Sequence, residues 1–324
     1  MNIAELCGAL VPVFLVLLLG YLAGKAHSFN GDQASGLSKL ALGFALPASL
    51  FVGMAALPRD LLVAQVKLAL CLLGVHLGLL LLAHFVLHKL CHVQTTRSLV
   101  FSLMLSTSAT PVFGVAVLSP LLGSTAIGAV GLVALAINFA VPVAVILFEI
   151  DAAGKIAHAG ETAQGKASAN PPRNPAIDGL KAGLSSPLLW APILGCALAM
   201  SGKHMPTIVS SSFTFIGSAT SGVAVFAVGL ILAAHRMMFS RAVLLGTLGR
   251  VSIQSMFLFG LAMLLHITGP VYREAIVCCG FPPATTVTLL AAKYQSSEAE
   301  SASVLLFSTL LLAATIPTLL YLTR

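Results

Sequence analysis

A chain of 324 residues that is 58% hydrophobic and only 8% charged, with a mean hydropathy of +1.01, is not a soluble globular domain, where roughly a quarter of residues are charged. Its formal net charge of +7 is carried by an apolar chain with no soluble basic face, so it reads as a membrane-topology signal and not as a nucleic-acid footprint. Neither a Walker A nor an HExxH motif is present, which excludes ATP hydrolysis of the P-loop type and a zincin protease.

Ten apolar windows are long enough to cross a hydrocarbon core of ~30 Å. They fall at 6–24, 36–55, 61–87, 98–121, 124–148, 182–200, 207–233, 240–267, 270–294 and 301–322. The first is preceded by no Lys or Arg and carries Glu5, whereas a signal peptide has a positive n-region. It is read as a true span with the N-terminus outside. Twelve of the 17 basic residues then lie on the cytoplasmic side, against Arg59, Lys67, Lys203, Arg273 and Arg324 outside, the bias that the positive-inside rule demands. In the third window Lys67 reads as snorkelling to the outer surface, and His76 and His84 as packed neutral histidines, with a proton relay as the other reading.

The fourth window is interrupted. Ser106, Thr107, Ser108 and Thr110 run into Pro111, where a span should be uniformly apolar. Proline removes a backbone donor and bars a carbonyl from its helical bond, and such groups survive in hydrocarbon only when buried in protein or lining a cavity. In the fifth window Asn138 precedes Pro142 by one helical turn and is read as a tie between helices or a polar contact at the crossover. The stretch from Asp151 to Lys181, with Asn170-Pro171-Pro172, cannot build a core and is read as a cytoplasmic linker. In the eighth window Arg250 lies ten residues in from Ser240, roughly 15 Å along a helix, with Gln254 one turn further on the same face. An intramembrane cation is a functional-site hypothesis by default, and snorkelling of the long side chain to the cytoplasmic headgroups is the other reading of Arg250. The ninth window is interrupted like the fourth: Cys278, Cys279 and Gly280 precede Pro282 and Pro283, and Thr285 and Thr286 follow. The six cysteines lie mostly in apolar windows without metal-ligand spacing, so they read as packing residues, with neither a metal site nor a disulfide.

The linker divides the chain into a first half, 1–150, a linker, 151–181, and a second half, 182–324, with five windows in each half. Pro12 and Pro187, Gly20 and Gly195, Phe51 and Phe226, and Pro142 and Pro317 each stand 175 positions apart, which reads as an internal repeat. An odd number of spans per half makes the second half enter from the opposite face, giving an inverted repeat. The expected fold is therefore an all-α polytopic membrane protein of ten transmembrane helices in two inverted five-helix repeats, with broken helices 4 and 9 crossing. A matched pair of interrupted spans is the best sequence pointer to a transporter's binding site. Broken helices expose N–H groups with partial positive charge, which suit an anion. The candidate binding residues are Ser108, Thr110, Pro111, Pro282, Pro283 and Thr285 at the breaks, with Arg250, Gln254 and Asn138 beside them. Arg250 would offset the substrate's charge, and the hydroxyls would orient it.

These residues also carry a resemblance. Val11-Pro12-Val13-Phe14, Leu19-Gly20-Tyr21-Leu22 and Ala45-Leu46-Pro47-Ala48-Ser49-Leu50-Phe51 resemble the auxin efflux carrier family of permeases, as do Ser186-Pro187-Leu188, Gly217-Ser218-Ala219-Thr220 and Ile316-Pro317 in the second half. The segment Ser186–Leu232 is most similar to the bacterial malonate-transporter branch. The resemblance implies a scaffold of helices 1, 2, 6 and 7, a transport core of helices 3–5 and 8–10, and elevator-like transport of organic anions, often by a homodimer. At the first crossover the family commonly has an Asn and a Gly-Leu-Pro-like run; here Ser106–Pro111 stands instead, a departure that bears on the substrate more than on the fold.

The sequence thus reads as a secondary active transporter of small organic anions, malonate-like dicarboxylates foremost, and not as an enzyme. A sodium-coupled bile-acid-type symporter shares the five-plus-five plan, and a non-transporting membrane sensor or receptor is the alternative from another class. No cofactor is called for, and the coupling ion stays open between H+ and Na+. The expected partners are the anion, membrane lipid and a second copy bound through the scaffold helices, with no nucleic acid. The expected location is a bacterial inner membrane, with both termini outside and the linker in the cytoplasm.

Overall fold

The computed structural model of the chain describes residues 3–29, 31–110, 125–163, 187–203, 205–234 and 237–323, with the isolated positions 118, 177, 181 and 185. All regular structure among the described residues is helical. The first half contains α1 (Ile3–Lys25), α2 (Gly31–Leu40), α3 (Leu46–Ala55), α4 (Arg59–Ala64), α5 (Val66–Phe85), α6 (Thr95–Ser106) and α7 (Thr125–Ala163). A π-helical turn, Ala41–Ala45, joins α2 to α3 without breaking the rod. The second half contains α8 (Pro187–Met200), α9 (Thr207–Ala234), α10 (Arg241–Leu264), α11 (Pro270–Cys279), α12 (Thr285–Lys293) and α13 (Glu298–Leu322).

Helix starts and stops follow local chemistry. Ser240 caps α10, its hydroxyl accepting from the Val243 N–H at 3.2 Å. Pro270 opens α11 at a position where a missing N–H costs nothing. Pro317 in α13 denies the carbonyl of residue 313 its bond, and the helix bends by 60° between Leu312 and Ala314.

Three described helices are long and apolar enough to cross a membrane unbroken: Val66–Leu90, Ala129–Lys155 and Arg241–Leu264, with the bent α13 a fourth. α1 covers the window 6–24 and α9 the window 207–233; the remaining expected windows are divided by a break or a π-helical turn, or run into residues outside the described set. The helix that closes the first half runs on into the segment read as a linker. α7 continues through Asp151 to Ala163, because that segment is rich in good helix formers and Asp151 pairs with Lys155 one turn on at 2.8 Å.

Packing sorts the helices into two groups. α1, α3, α8 and α9 pack on one another, with α2 beside them; α5, α6, α7, α10, α11, α12 and α13 form the other group. In the first group the contacts are reciprocal. A Cβ on Gly20 would lie 2.2 Å from the Phe226 carbonyl oxygen, and one on Gly195 would lie 2.4 Å from the Phe51 carbonyl oxygen. Both glycines let backbones touch where no hydrophobic force acts between helices. The residues involved are two of the pairs that stand 175 apart in sequence.

In the second group Leu72, Leu80, Leu99, Leu103, Met104 and Phe148 are fully buried. Leu244, Leu248, Met256, Phe259 and Met263 project outward from α10, an exposed apolar stripe that lipid solvates. Several ionic residues of this group gather at one end. Arg97 pairs with Glu300 at 2.6 Å, Lys293 with Glu149 at 3.0 Å, and the Thr96 hydroxyl donates to Asp151 at 2.6 Å. Ser98 Oγ meets His84 Nδ1 at 2.8 Å at the same end. The C-terminal ends of α5 and α12 and the N-terminal ends of α6 and α13 therefore face the same way as residues 149–155 of α7.

Candidate functional site

α6 stops at Ser106, and the backbone of Thr107 turns extended at φ −117°, ψ 148°. α11 stops at Cys279; Phe281 to Ala284 are non-helical, and Ala284 is extended at φ −60°, ψ 136° before α12 restarts at Thr285. Pro282 and Pro283 impose this second break, since a residue before proline is pushed out of the helical region. The two breaks meet. The Ala109 N–H donates to the Pro282 carbonyl at 2.7 Å, and the Thr110 hydroxyl donates to the Cys278 carbonyl at 2.8 Å. Thr110 has one proton, so in its 2.6 Å contact with Ser108 it is Ser108 that donates. In this conformation both hydroxyl protons are committed to the crossing.

Arg250 is fully buried against this junction. Its Nη1 donates to the Leu105 carbonyl at 3.2 Å and to Gln254 Oε1, and its Nη2 donates to the Cys279 carbonyl at 2.8 Å. Gln254 Nε2 in turn donates to the Ser106 carbonyl at 2.7 Å. The last carbonyls of α6 and α11 lack helical partners and carry the negative ends of two helix dipoles. A guanidinium between them satisfies both, and its planar fork reaches where a point charge does not. The side chain does not snorkel to the headgroups. No carboxylate lies within 4.0 Å of it among the described residues, and its Nε has no hydrogen-bond partner.

Of the sequence-predicted residues, the structure brings Ser108, Thr110, Arg250, Gln254 and Pro282 into one hydrogen-bonded group. Pro283 is buried in the second break and Thr285, half-buried, opens α12 beside it. Asn138 is buried in α7 outside that group. Pro111 lies outside the described residues. Sequence reasoning missed the backbone members, the carbonyls of Leu105, Ser106, Cys278 and Cys279 and the Ala109 N–H. A buried arginine needs several acceptors, and the nearest helix ends are where to seek them; that was the available signal.

A helical bundle whose interrupted segments are tied at their breaks around a buried cation is an integral membrane protein of the transporter class. The chain belongs to the family described as Membrane transport protein, which it matches over residues 6–321, the auxin efflux carrier-like family of the sequence motifs. It is 28% identical over 320 residues to the transporter YfdV of Escherichia coli (strain K12), covering 98% of this chain and 97% of that protein. It is 25% identical over 338 residues to the "Putative malonate transporter" of Rhizobium meliloti (strain 1021), covering 99% and 97%. A 57-residue stretch is 44% identical to the mouse lysosomal cholesterol signaling protein, but spans only 18% of this chain and 7% of that one.

Proposed function

We propose that the chain is a secondary active carrier of small organic anions, with malonate-like dicarboxylates as its substrate class. One observation carries the reading: a fully buried guanidinium at the crossing of two broken helices has no carboxylate within ion-pair distance among the described residues. A buried cation left with only carbonyl dipoles favours an anion beside it. The half-buried Thr285 and Thr286, at the N-terminus of α12, add a dipole end of the same sign. The name of the Rhizobium relative points to the same substrate.

Alternating access in this reading moves the group containing the crossing against the group of α1, α3, α8 and α9. The division of the packing supports two bodies, and the reciprocal glycine contacts support an inverted repeat of ten spans. A bacterial inner membrane, termini outside, a cytoplasmic linker and a homodimer through the scaffold helices complete the proposal.

Uptake of labelled malonate into proteoliposomes tests it. Accumulation above protein-free vesicles, abolished by Arg250→Ala, is the expected result. Malonate that stabilises the purified protein against heat but is never taken up would assign the chain to the sensor class instead.

A further inference from the structure

His76 sits ten residues into α5, roughly 15 Å from the helix start, and is fully buried. Its Nδ1 lies 2.7 Å from the Leu72 carbonyl. A carbonyl only accepts, so Nδ1 carries the proton and Nε2 presents a bare lone pair. That lone pair has no partner. α5 packs directly on α6 and on α10, the helix that carries Arg250. Two further buried groups beside Arg250 are also without partners: Ser106 Oγ, on the residue whose carbonyl Gln254 holds, and Thr247 Oγ1, one turn before Arg250 on α10. Native interiors rarely leave such groups unmatched, and here a donor, Arg250 Nε–H, and an acceptor, His76 Nε2, are both left over on helices that pack against each other.

Of the charged groups on the surrounding elements, Arg250, Glu274 on α11 and Glu300 on α13 are buried, and Arg273 on α11 is exposed. From α6, Arg97 is paired with Glu300 at the linker-side end. From α7, Glu149, Asp151 and Lys155 are paired at that end too. Arg241 is in the first turn of α10 at the same end, near His84 and His88 at the end of α5 and Lys89 in the turn after it. Arg59 and Asp60 on α4, with Lys67 in the first turn of α5, lie at the opposite end.

We propose that His76 Nε2 is the proton-binding site of this carrier, and that a proton and a carboxylate load together between His76 and Arg250. The proposal rests on the organic-anion reading above. The proton comes from bulk water on one side, adds to the Nε2 lone pair without breaking any heavy-atom bond, and leaves to water on the other. Alone, an imidazolium beside Arg250 is two like charges in a low-dielectric interior, and a lone carboxylate leaves Nε2 unmatched. With both bound, one carboxylate oxygen accepts from Arg250 Nε–H and the other from Nε2–H, and the anion separates the two cations. Each ligand thereby raises the affinity of the other, which is the thermodynamic content of symport.

The test uses the full chain in phosphatidylethanolamine–phosphatidylglycerol vesicles with a pH dye trapped inside and malonate added outside. Wild-type protein should acidify the lumen as malonate enters, beyond protein-free vesicles, and uptake should rise when the lumen is made alkaline. His76→Gln, with its thermal unfolding checked against wild type, should lose both the acidification and the stimulation. Wild-type uptake that leaves the dye unchanged, or that follows a sodium gradient instead, would overturn the proton assignment while leaving an anion carrier. So would lumen acidification that persists in His76→Gln. Should that variant fail to fold, the wild-type dye record decides alone. No malonate uptake at all would remove the carboxylate reading and this inference with it.

Discussion

Taking an arginine out of water costs several kcal/mol per charge, even after the protein relaxes around it, so a buried one must recover that cost locally. Arg250 does so with two helix-end carbonyls and the Gln254 amide oxygen. Arg250→Ala is expected to abolish malonate uptake and to lower thermal stability, since each orphaned buried carbonyl costs about 1–3 kcal/mol. Arg250→Lys keeps the charge, but a single ammonium cannot span from Leu105 to Cys279; it should lose stability as well, and most of its uptake. Unfolding in detergent and uptake in vesicles check the pair, and normal transport by either variant would reject the clasp. Gln254→Leu should cost about 1–3 kcal/mol through the unpartnered Ser106 carbonyl and the Arg250 donor. The sequence showed Arg250 as out of place because charge in a hydrocarbon window is rare. It did not show what Arg250 holds, because every main partner except Gln254 is backbone, and a carbonyl has no letter in the sequence.

At the scale of elements, proline explains most of what was legible. Pro282 and Pro283 placed the second break to within a few residues, and Pro317 accounts for the bend in α13. The extension of α7 past Asp151 was not legible from polarity alone, because helix propensity and an i,i+4 ion pair override a hydrophilic composition. The π-helical turn at Ala41–Ala45 had no signal in the sequence. The 175-residue offset became informative only once Gly20 was seen against Phe226 and Gly195 against Phe51. This symmetry makes a prediction. Gly20→Ala and Gly195→Ala should each destabilise by about 1–3 kcal/mol, because an added methyl meets backbone that cannot swing away. Gly53→Ala, with nothing within 4 Å, should not. Thermal unfolding of the three variants decides it, and a tolerant Gly20 or Gly195 would argue against the close backbone approach.

For the whole molecule, the ionic end of the core group and the positive-inside bias make independent statements about the same surface. Arg97, Asp151, Lys155, Lys293 and Glu300 share one end because their ion pairs hold them there, whichever compartment that end faces. Charge counting alone assigns that end to the cytoplasm. Cys91 offers the measurement, since it is exposed, unpaired and placed between α5 and α6 at this end, whereas Cys71, Cys278 and Cys279 are buried. In a background with Cys7 and Cys196 replaced by serine, a membrane-impermeant maleimide should label Cys91 in inside-out vesicles and not in intact cells. Labelling in intact cells would reverse the orientation. It would leave the crossing and the clasp as they are, because reversing the chain across the membrane moves no residue against another. What it would change is the side from which His76 takes its proton in the first step, and with it the sign of the pH gradient that drives uptake.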